Sequence, residues 1–280
     1  MKLENIIEEL GFDNEVKEAI LNKLNNNFEE IKLIARKAYE KEDKKYRLCK
    51  EDPLTRLVVV TYLFENAYKI YKKRNVPDDI IIDTLKDLSH RVNLNFRHTG
   101  RIEISEGEVY WFSHFVFGEM FKLGSMQFEL RKMFYLKSVQ KDKEELVFPE
   151  GIKNVLTEDT YIINCHLQEG GDPSGKATDN ALALAREFFQ KYFPEVDIKA
   201  FVGYTWLFYP EMVKHLPDTS RIKEHAKRFN VVATCPCDVL ALERLFPDGY
   251  TNAGKPLTSL QVMAIKHPEW FGFACGIIWF

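Results

Sequence analysis

The segment with the most chemical content runs from Tyr161 to Lys176 and reads YIINCHLQEGGDPSGK. An apolar run, Tyr161 to Leu167, leads into a loop carrying Gly170, Gly171 and Gly175, and a helix-forming stretch follows from Ala177 to Phe193. Loop glycines let backbone N–H groups approach a ligand closely. The start of the next helix adds unpaired donors and a partial positive charge, so the geometry suits phosphate. The same segment also reads as a plain strand-to-helix turn that binds nothing. His166 stands at the end of the apolar run, beside the loop, where an imidazole could act as a general base or be a structural histidine held by backbone. Tyr204 and Tyr209 flank Trp206 on a later strand-like run and could donate a proton to a leaving group; as packing residues with a polar handle they need no such role.

Gly170 to Lys176 also fits G-x-x-x-x-G-K, the start of a nucleotide-binding P-loop. The next residue is Ala177 where that motif needs a magnesium-binding hydroxyl, and Thr178 comes one place too late. Cys165 and His166 are adjacent on a strand and point to opposite faces, so they form no nucleophile–base pair with each other. Cys235-Pro236-Cys237 lacks a second cysteine pair, and His215 and His225 are separated by a break at Pro217, so no metal site is expected. Gln127 and Glu129 alternate with Phe128, which places them together on one strand face, toward either a cleft or solvent.

The chain that positions these residues has 280 of them, enough for about two domains. At 45% hydrophobic and 29% charged it reads as a globular protein. A formal charge of −3 gives no basic field for nucleic acid or anionic lipid. The acidic, amphipathic start lacks the apolar core of a signal peptide, and no run reaches the length of a membrane span. Five scattered cysteines suggest free thiols in a reducing, cytoplasmic setting.

Apolar residues at spacings of three and four predict helices through Leu3–Leu10, Val16–Leu24 and Phe28–Ile34, then from Pro53 to about Lys73 and from Pro77 through Val92. After Gly100 the aromatic and β-branched run Val109 to Phe117, followed by Met126 to Leu130, predicts a hairpin or meander. The stretch from Lys137 to Glu145 reads as a charged loop. Beyond it the reading gives strands at Tyr161–Leu167, Ile198–Phe208, Val231–Ala233 and Phe271–Phe280. Helices are read at Ala177–Phe193, Pro210–Leu216, Ser220–Phe229 and Ser259–Lys266, with Asp238 to Phe246 ambiguous. That order implies an α+β chain with helices flanking a mixed sheet.

Several separated segments resemble a two-part family of predicted acyltransferases, an N-acyltransferase-type N-terminal domain followed by a GNAT-like C-terminal domain, within the GNAT superfamily of N-acetyltransferases. They are Arg74-Asn75-Val76-Pro77 with Thr84 and Asp87; Trp111 to Gly118; Leu123 to Glu129; His166 to Gly171; Phe188 to Pro194; Thr205-Trp206-Leu207; Leu216-Pro217; and Arg228-Phe229. The resemblance implies a helical domain over residues 1–107 and a GNAT-like, largely antiparallel mixed sheet flanked by helices over 108–280. It further implies that Tyr161–Leu167 pairs with a pantetheine arm and that Ala200–Phe208 splays away from it. The pyrophosphate of acetyl-CoA or another acyl-CoA would lie on Leu167, Gln168, Gly170, Gly171, Ser174, Gly175 and Lys176. The implied reaction moves an acyl group, acetyl in the first instance, to a small amine by direct attack, with His166, Tyr204 and Tyr209 as candidate acid–base groups and no metal. Pro173 stands where the superfamily's phosphate signature has Gly or Ala, which also fits a non-catalytic ligand-binding or partner-binding relative.

Overall fold

The computed structural model describes residues 1–40, 48–136, 145–168, 170–246 and 256–280, so most of the expected charged loop after Leu136 lies outside the described residues. The chain divides into two compact units, Met1–Leu123 and Gly124–Phe280.

The first unit contains α1 (Leu3–Leu10), α2 (Asn14–Asn26), α3 (Phe28–Glu40), α4 (Pro53–Lys73), α5 (Asp78–Thr99), α6 (Glu106–Val116) and the short strand β1 (Met120–Leu123). Ile6, Ile7, Leu10, Val16 and Ile20 are buried, as their spacing predicts. Gly11 ends α1 in the left-handed region, φ 72°. Asp52 caps α4 through the Thr55 N–H, with Pro53 at the first position, where it loses no hydrogen bond.

The expected strand at Val109–Phe117 is instead α6. Its start is a capping box: Ser105 Oγ accepts the Glu108 N–H and the Glu108 carboxylate accepts the Ser105 N–H. Aromatic and β-branched content suggested a strand. Val109, Phe112, Phe115 and Val116 recur at helical spacing, and all four are buried. The helix α6 belongs to the first unit, Met1–Leu123.

Asp87 on α5 has no exposed surface and accepts hydrogen bonds from Arg91 Nε and Trp111 Nε1, both at 2.9 Å. Thr84, one turn earlier, accepts the Lys122 N–H at 2.9 Å and donates to the Ile80 carbonyl. The first unit's resemblance-bearing residues therefore tie its helices together.

In the second unit β2 (Met126–Lys132), α7 (Glu150–Val155), β3 (Tyr161–Leu167), α8 (Gly175–Tyr192) and β4 (Ile198–Thr205) are followed by α9 (Pro210–His215) and α10 (Arg221–Ala226). Then come β5 (Asn230–Cys235), α11 (Val239–Leu245), α12 (Ser259–Lys266) and β6 (Phe273–Trp279). The strands of this unit run in the order β2-β3-β4-β6-β5. Only β3 and β4 are parallel among them; α8 supplies the crossover that a parallel pair requires. The expected strand to Phe208 stops at Thr205, whose hydroxyl accepts the Leu207 N–H and starts a 3₁₀ turn over Trp206–Phe208.

One sheet face carries Phe128 and Phe201, with the Arg186 guanidinium of α8 lying 5.1 Å over the Phe201 ring. Gly203 and Gly276 lie on this face too, where a Cβ would meet Phe208 at 2.7 and 3.0 Å respectively. The opposite face packs Ile162, Ala200, Val202, Cys275 and Ile277 against Met133, Leu146, Phe148 and Leu156.

Asp87→Ala removes the buried acceptor of the Arg91 and Trp111 hydrogen bonds and should cost about 3 kcal/mol, measured as a lowered urea midpoint at unchanged slope. His225, buried and bonded to Thr178 Oγ1 at 2.9 Å, has its pKa lowered from 6.5 to about 4 by burial and by Arg228. The unfolded chain then binds the extra proton first, so this contribution is complete above pH 6.5. It declines as pH falls toward 4, by about 3 kcal/mol. Melting curves of wild type and His225→Gln should therefore converge as pH is lowered through that window.

Candidate functional site

The parallel ladder between β3 and β4 ends at Asn164↔Val202. Both strands continue past that point, but each pairs only with its outer neighbour. β3 stays in register with β2 to Met126↔Leu167, and β4 stays in register with β6 to Thr205↔Ala274. The sheet thus opens between Cys165–Leu167 and Gly203–Thr205, leaving two divergent strand ends with backbone polar groups facing the gap. An extended ligand carrying amide groups can be paired there in the manner of an added strand.

His166 and Tyr204 each stand two residues beyond the last pair and, by strand alternation, on the same sheet face. Opposite His166 on β2 is Gln127, and opposite Asn164 is Glu129. Gln127, Glu129 and Asn164 are all buried, with Glu129 only 3% exposed. Arg131 Nη1 lies 3.3 Å from both Glu129 oxygens, and the Arg131 guanidinium rests 3.9 Å over the Phe134 ring.

Asn164 Nδ2 donates to Glu129 Oε2 at 3.0 Å and lies 3.0 Å from His166 Nε2. With one amide hydrogen given to each, His166 Nε2 is the acceptor and the ring proton sits on Nδ1. Glu129 Oε2 is 3.7 Å from Nε2, so an imidazolium formed at His166 faces a buried negative charge. The arrangement can hold and pass on one proton.

The loop after β3 is closed by a Gly171 N–H to Gln168 carbonyl bond of 2.8 Å, with Gly170 in the left-handed region at φ 76°. A Cβ on Gly171 would lie 2.8 Å from the Ser125 carbonyl oxygen and 2.9 Å from that of Gln168, so no side chain fits. Ser174 caps α8, accepting the Ala177 N–H, while Asp172 accepts from the Ser174 N–H and hydroxyl. The Gly175 N–H, one of the donors expected to face a phosphate, donates to Glu224 Oε2 at 2.8 Å. The Arg228 guanidinium fills the space a Gly175 side chain would occupy and binds Asp179. Lys176 is exposed.

The remaining candidates divide. Tyr204 donates to the Phe134 carbonyl at 2.6 Å, and its ring packs 4.8 Å from that of Phe134. Burial, with Cys275 beside it, pushes its phenol well above the usual range. Tyr209 packs beside the apolar cluster of Met212, Leu216, Ala241 and Phe271, against Gly272. Thr178, the displaced hydroxyl of the P-loop pattern, is buried and bonded to His225. Burial likewise pushes the Cys165 thiol up, and Cys235, Cys237 and Cys275 are buried while Cys49 is exposed.

Asn164 is the residue that reading the sequence for site residues overlooked. Its signal is its place two residues before His166, on the same strand face.

No curated protein is significantly similar to this chain in sequence. Four solved chains share its fold. A mutant acyltransferase in complex with octanoyl-CoA superposes with a TM-score of 0.74 at 19% identity, over 99% of this chain and 87% of that one. An acyltransferase in complex with decanoyl-CoA and teicoplanin gives the same values. An acyltransferase in complex with decanoyl-CoA gives 0.72 at 19% identity, over 98% and 86%. Residues 1–118 match the N-acyltransferase N-terminal domain and residues 120–267 the GNAT-like C-terminal domain. The chain belongs to the two-part family that joins an N-acyltransferase N-terminal domain to a GNAT-like C-terminal domain.

Proposed function

We propose that the protein transfers an acyl group from a coenzyme A thioester to an amine. The observation that carries this reading is the opening of the sheet between β3 and β4, with His166 at its margin. The divergent strand ends are suited to the amide groups of a pantetheine arm. Leu167, Gln168, Gly170, Gly171, Ser174, Gly175 and Lys176 form the loop and helix start proposed to hold the pyrophosphate.

In the proposed reaction the amine nitrogen attacks the thioester carbonyl carbon. The C–N bond forms, the C–S bond breaks, and the proton released from nitrogen passes to His166 Nε2, which gives up the Asn164 hydrogen bond to take it, and then to the departing thiolate. Glu129 stabilises the imidazolium between those two transfers. Tyr204 is a reluctant acid, because its hydroxyl is already committed to Phe134 and its ionisation is opposed by burial. We assign thiolate protonation to His166 for that reason. Backbone N–H groups at the sheet opening are the candidates to polarise the carbonyl oxygen.

Three structural neighbours carry octanoyl-CoA or decanoyl-CoA, and one of these also carries teicoplanin. The acyl panel therefore runs from acetyl to decanoyl, and the acceptor panel from small amines to large amine-bearing molecules. A second reading, a non-catalytic ligand-binding or partner-binding relative, is favoured by one contact: Glu224 occupies a donor at the start of α8.

Calorimetric titration with CoA, acetyl-CoA and octanoyl-CoA, with magnesium-ATP as control, tests the cofactor assignment. Selective binding to the CoA series is expected. Gly171→Ala should weaken it at least tenfold, because the new Cβ displaces the Ser125 and Gln168 carbonyls. Binding to magnesium-ATP alone would overturn the assignment. Free-thiol release then separates the two readings. His166→Ala should lower kcat by about 100-fold, whereas a loss of less than threefold removes His166 from proton transfer.

A further inference from the structure

Among the described residues, the buried side-chain polar atoms without a hydrogen-bond partner are Gln127 Nε2, Gln127 Oε1, Arg131 Nε and Asn164 Oδ1. All belong to residues on β2 and β3, and strand register puts the three on the sheet face that carries His166. Buried polar groups in folded proteins are nearly always paired, so such a concentration calls for a cause. Gln127 is the extreme case: it has no exposed surface and neither end of its amide is engaged.

The orphans are not the residue of a poorly formed network. Glu129 is held by Arg131 and Asn164, and both amide hydrogens of Asn164 are placed, one on Glu129 and one on His166. A planar amide with both hydrogens so used turns its oxygen to the other side. Gln127 is the cross-strand neighbour of His166, and side chains in that relation have Cβ atoms about 5 Å apart. Two acceptors, Asn164 Oδ1 and Gln127 Oε1, and two donors, Gln127 Nε2 and Arg131 Nε, thus lie unpaired on the sheet face that carries His166.

We propose that Gln127 and Asn164 seat the acceptor of the acyl group, a use of this site that rests on the transferase reading above. Asn164 Oδ1 or Gln127 Oε1 accepts one N–H of the attacking amine and leaves the other directed at His166, which removes it. Gln127 Nε2 donates to an oxygen on a neighbouring carbon of the acceptor. The donor and acceptor set therefore selects a primary amine that carries a hydroxyl or carbonyl oxygen over a purely apolar amine, because an apolar amine leaves the Gln127 donor unpaired.

The test compares wild type with Gln127→Met, which keeps the side-chain length and removes the amide. Three quantities are measured: melting temperature, CoA affinity, and thiol release from acyl-CoA with ethanolamine and with propylamine, two acceptors of matched size. Wild type should prefer ethanolamine at least tenfold in kcat/KM. Gln127→Met should abolish that preference, lower kcat/KM for ethanolamine at least 30-fold, bind CoA within twofold of wild type, and melt at an equal or higher temperature. A lower melting temperature shows that the amide serves the fold, and an unchanged ethanolamine preference shows that it does not touch the acceptor; either overturns the assignment. Wild type that binds CoA but releases no thiol overturns the transferase reading, and the acceptor seat falls with it. Thiol release without amine preference overturns the seat alone.

Discussion

A carboxylate placed at 3% exposure must be compensated, and Glu129 sets the arrangement of the polar face around it. Removing an ion from water costs several kcal/mol unless charge and hydrogen bonds replace the lost hydration. Arg131 supplies the charge from two residues further along the same strand, its own guanidinium steadied over Phe134. Asn164 supplies the hydrogen bond from the facing strand and spends its other hydrogen on His166. The state of His166 thus follows from the need to satisfy Glu129. The pairing of β2 with β3 is pinned by the same need: a slip of one residue would turn Gln127, Glu129 and Arg131 onto the face packed by Phe128 and Phe201.

The opening beside this cluster is inexpensive because each arm is complete on its outer side. β2 holds β3 to its last residue, and β6, though last in the chain, lies between β4 and β5 and holds β4 to Thr205. A strand pair can therefore separate at Asn164↔Val202 without losing either strand. Gly203 and Gly276 let Phe208 and Phe229 press closely against the far face, which keeps β4 and β6 together where β4 leaves β3.

Much of this organisation was legible in the sequence. Helical spacing located the first five helices, and the strand, glycine loop and helix from Tyr161 to Tyr192 stand where the pattern placed them. Val109 to Phe117 misled because aromatic content resembles a strand, while the deciding signal was the short-range pair Ser105 and Glu108. The alternation of Gln127 and Glu129 about Phe128 placed both on one face, as the register has it. Nothing in a single strand reveals that such a face is buried, because that depends on residues distant in sequence. The same holds for Glu224, nearly fifty residues from the glycine whose N–H it accepts.

That last contact changes the energetics of the helix start. The positive end of α8 carries a built-in counter-anion, so its first donor is satisfied whether or not a ligand is present. A phosphate that takes the Gly175 N–H does so by exchange, releasing one anion as it seats another, and the charge at the helix end changes by less than the ligand brings. Discrimination at the proposed pyrophosphate site would rest on how much better a multiply charged, several-oxygen group satisfies the terminus than one carboxylate does. The protein sets that threshold with its own side chain.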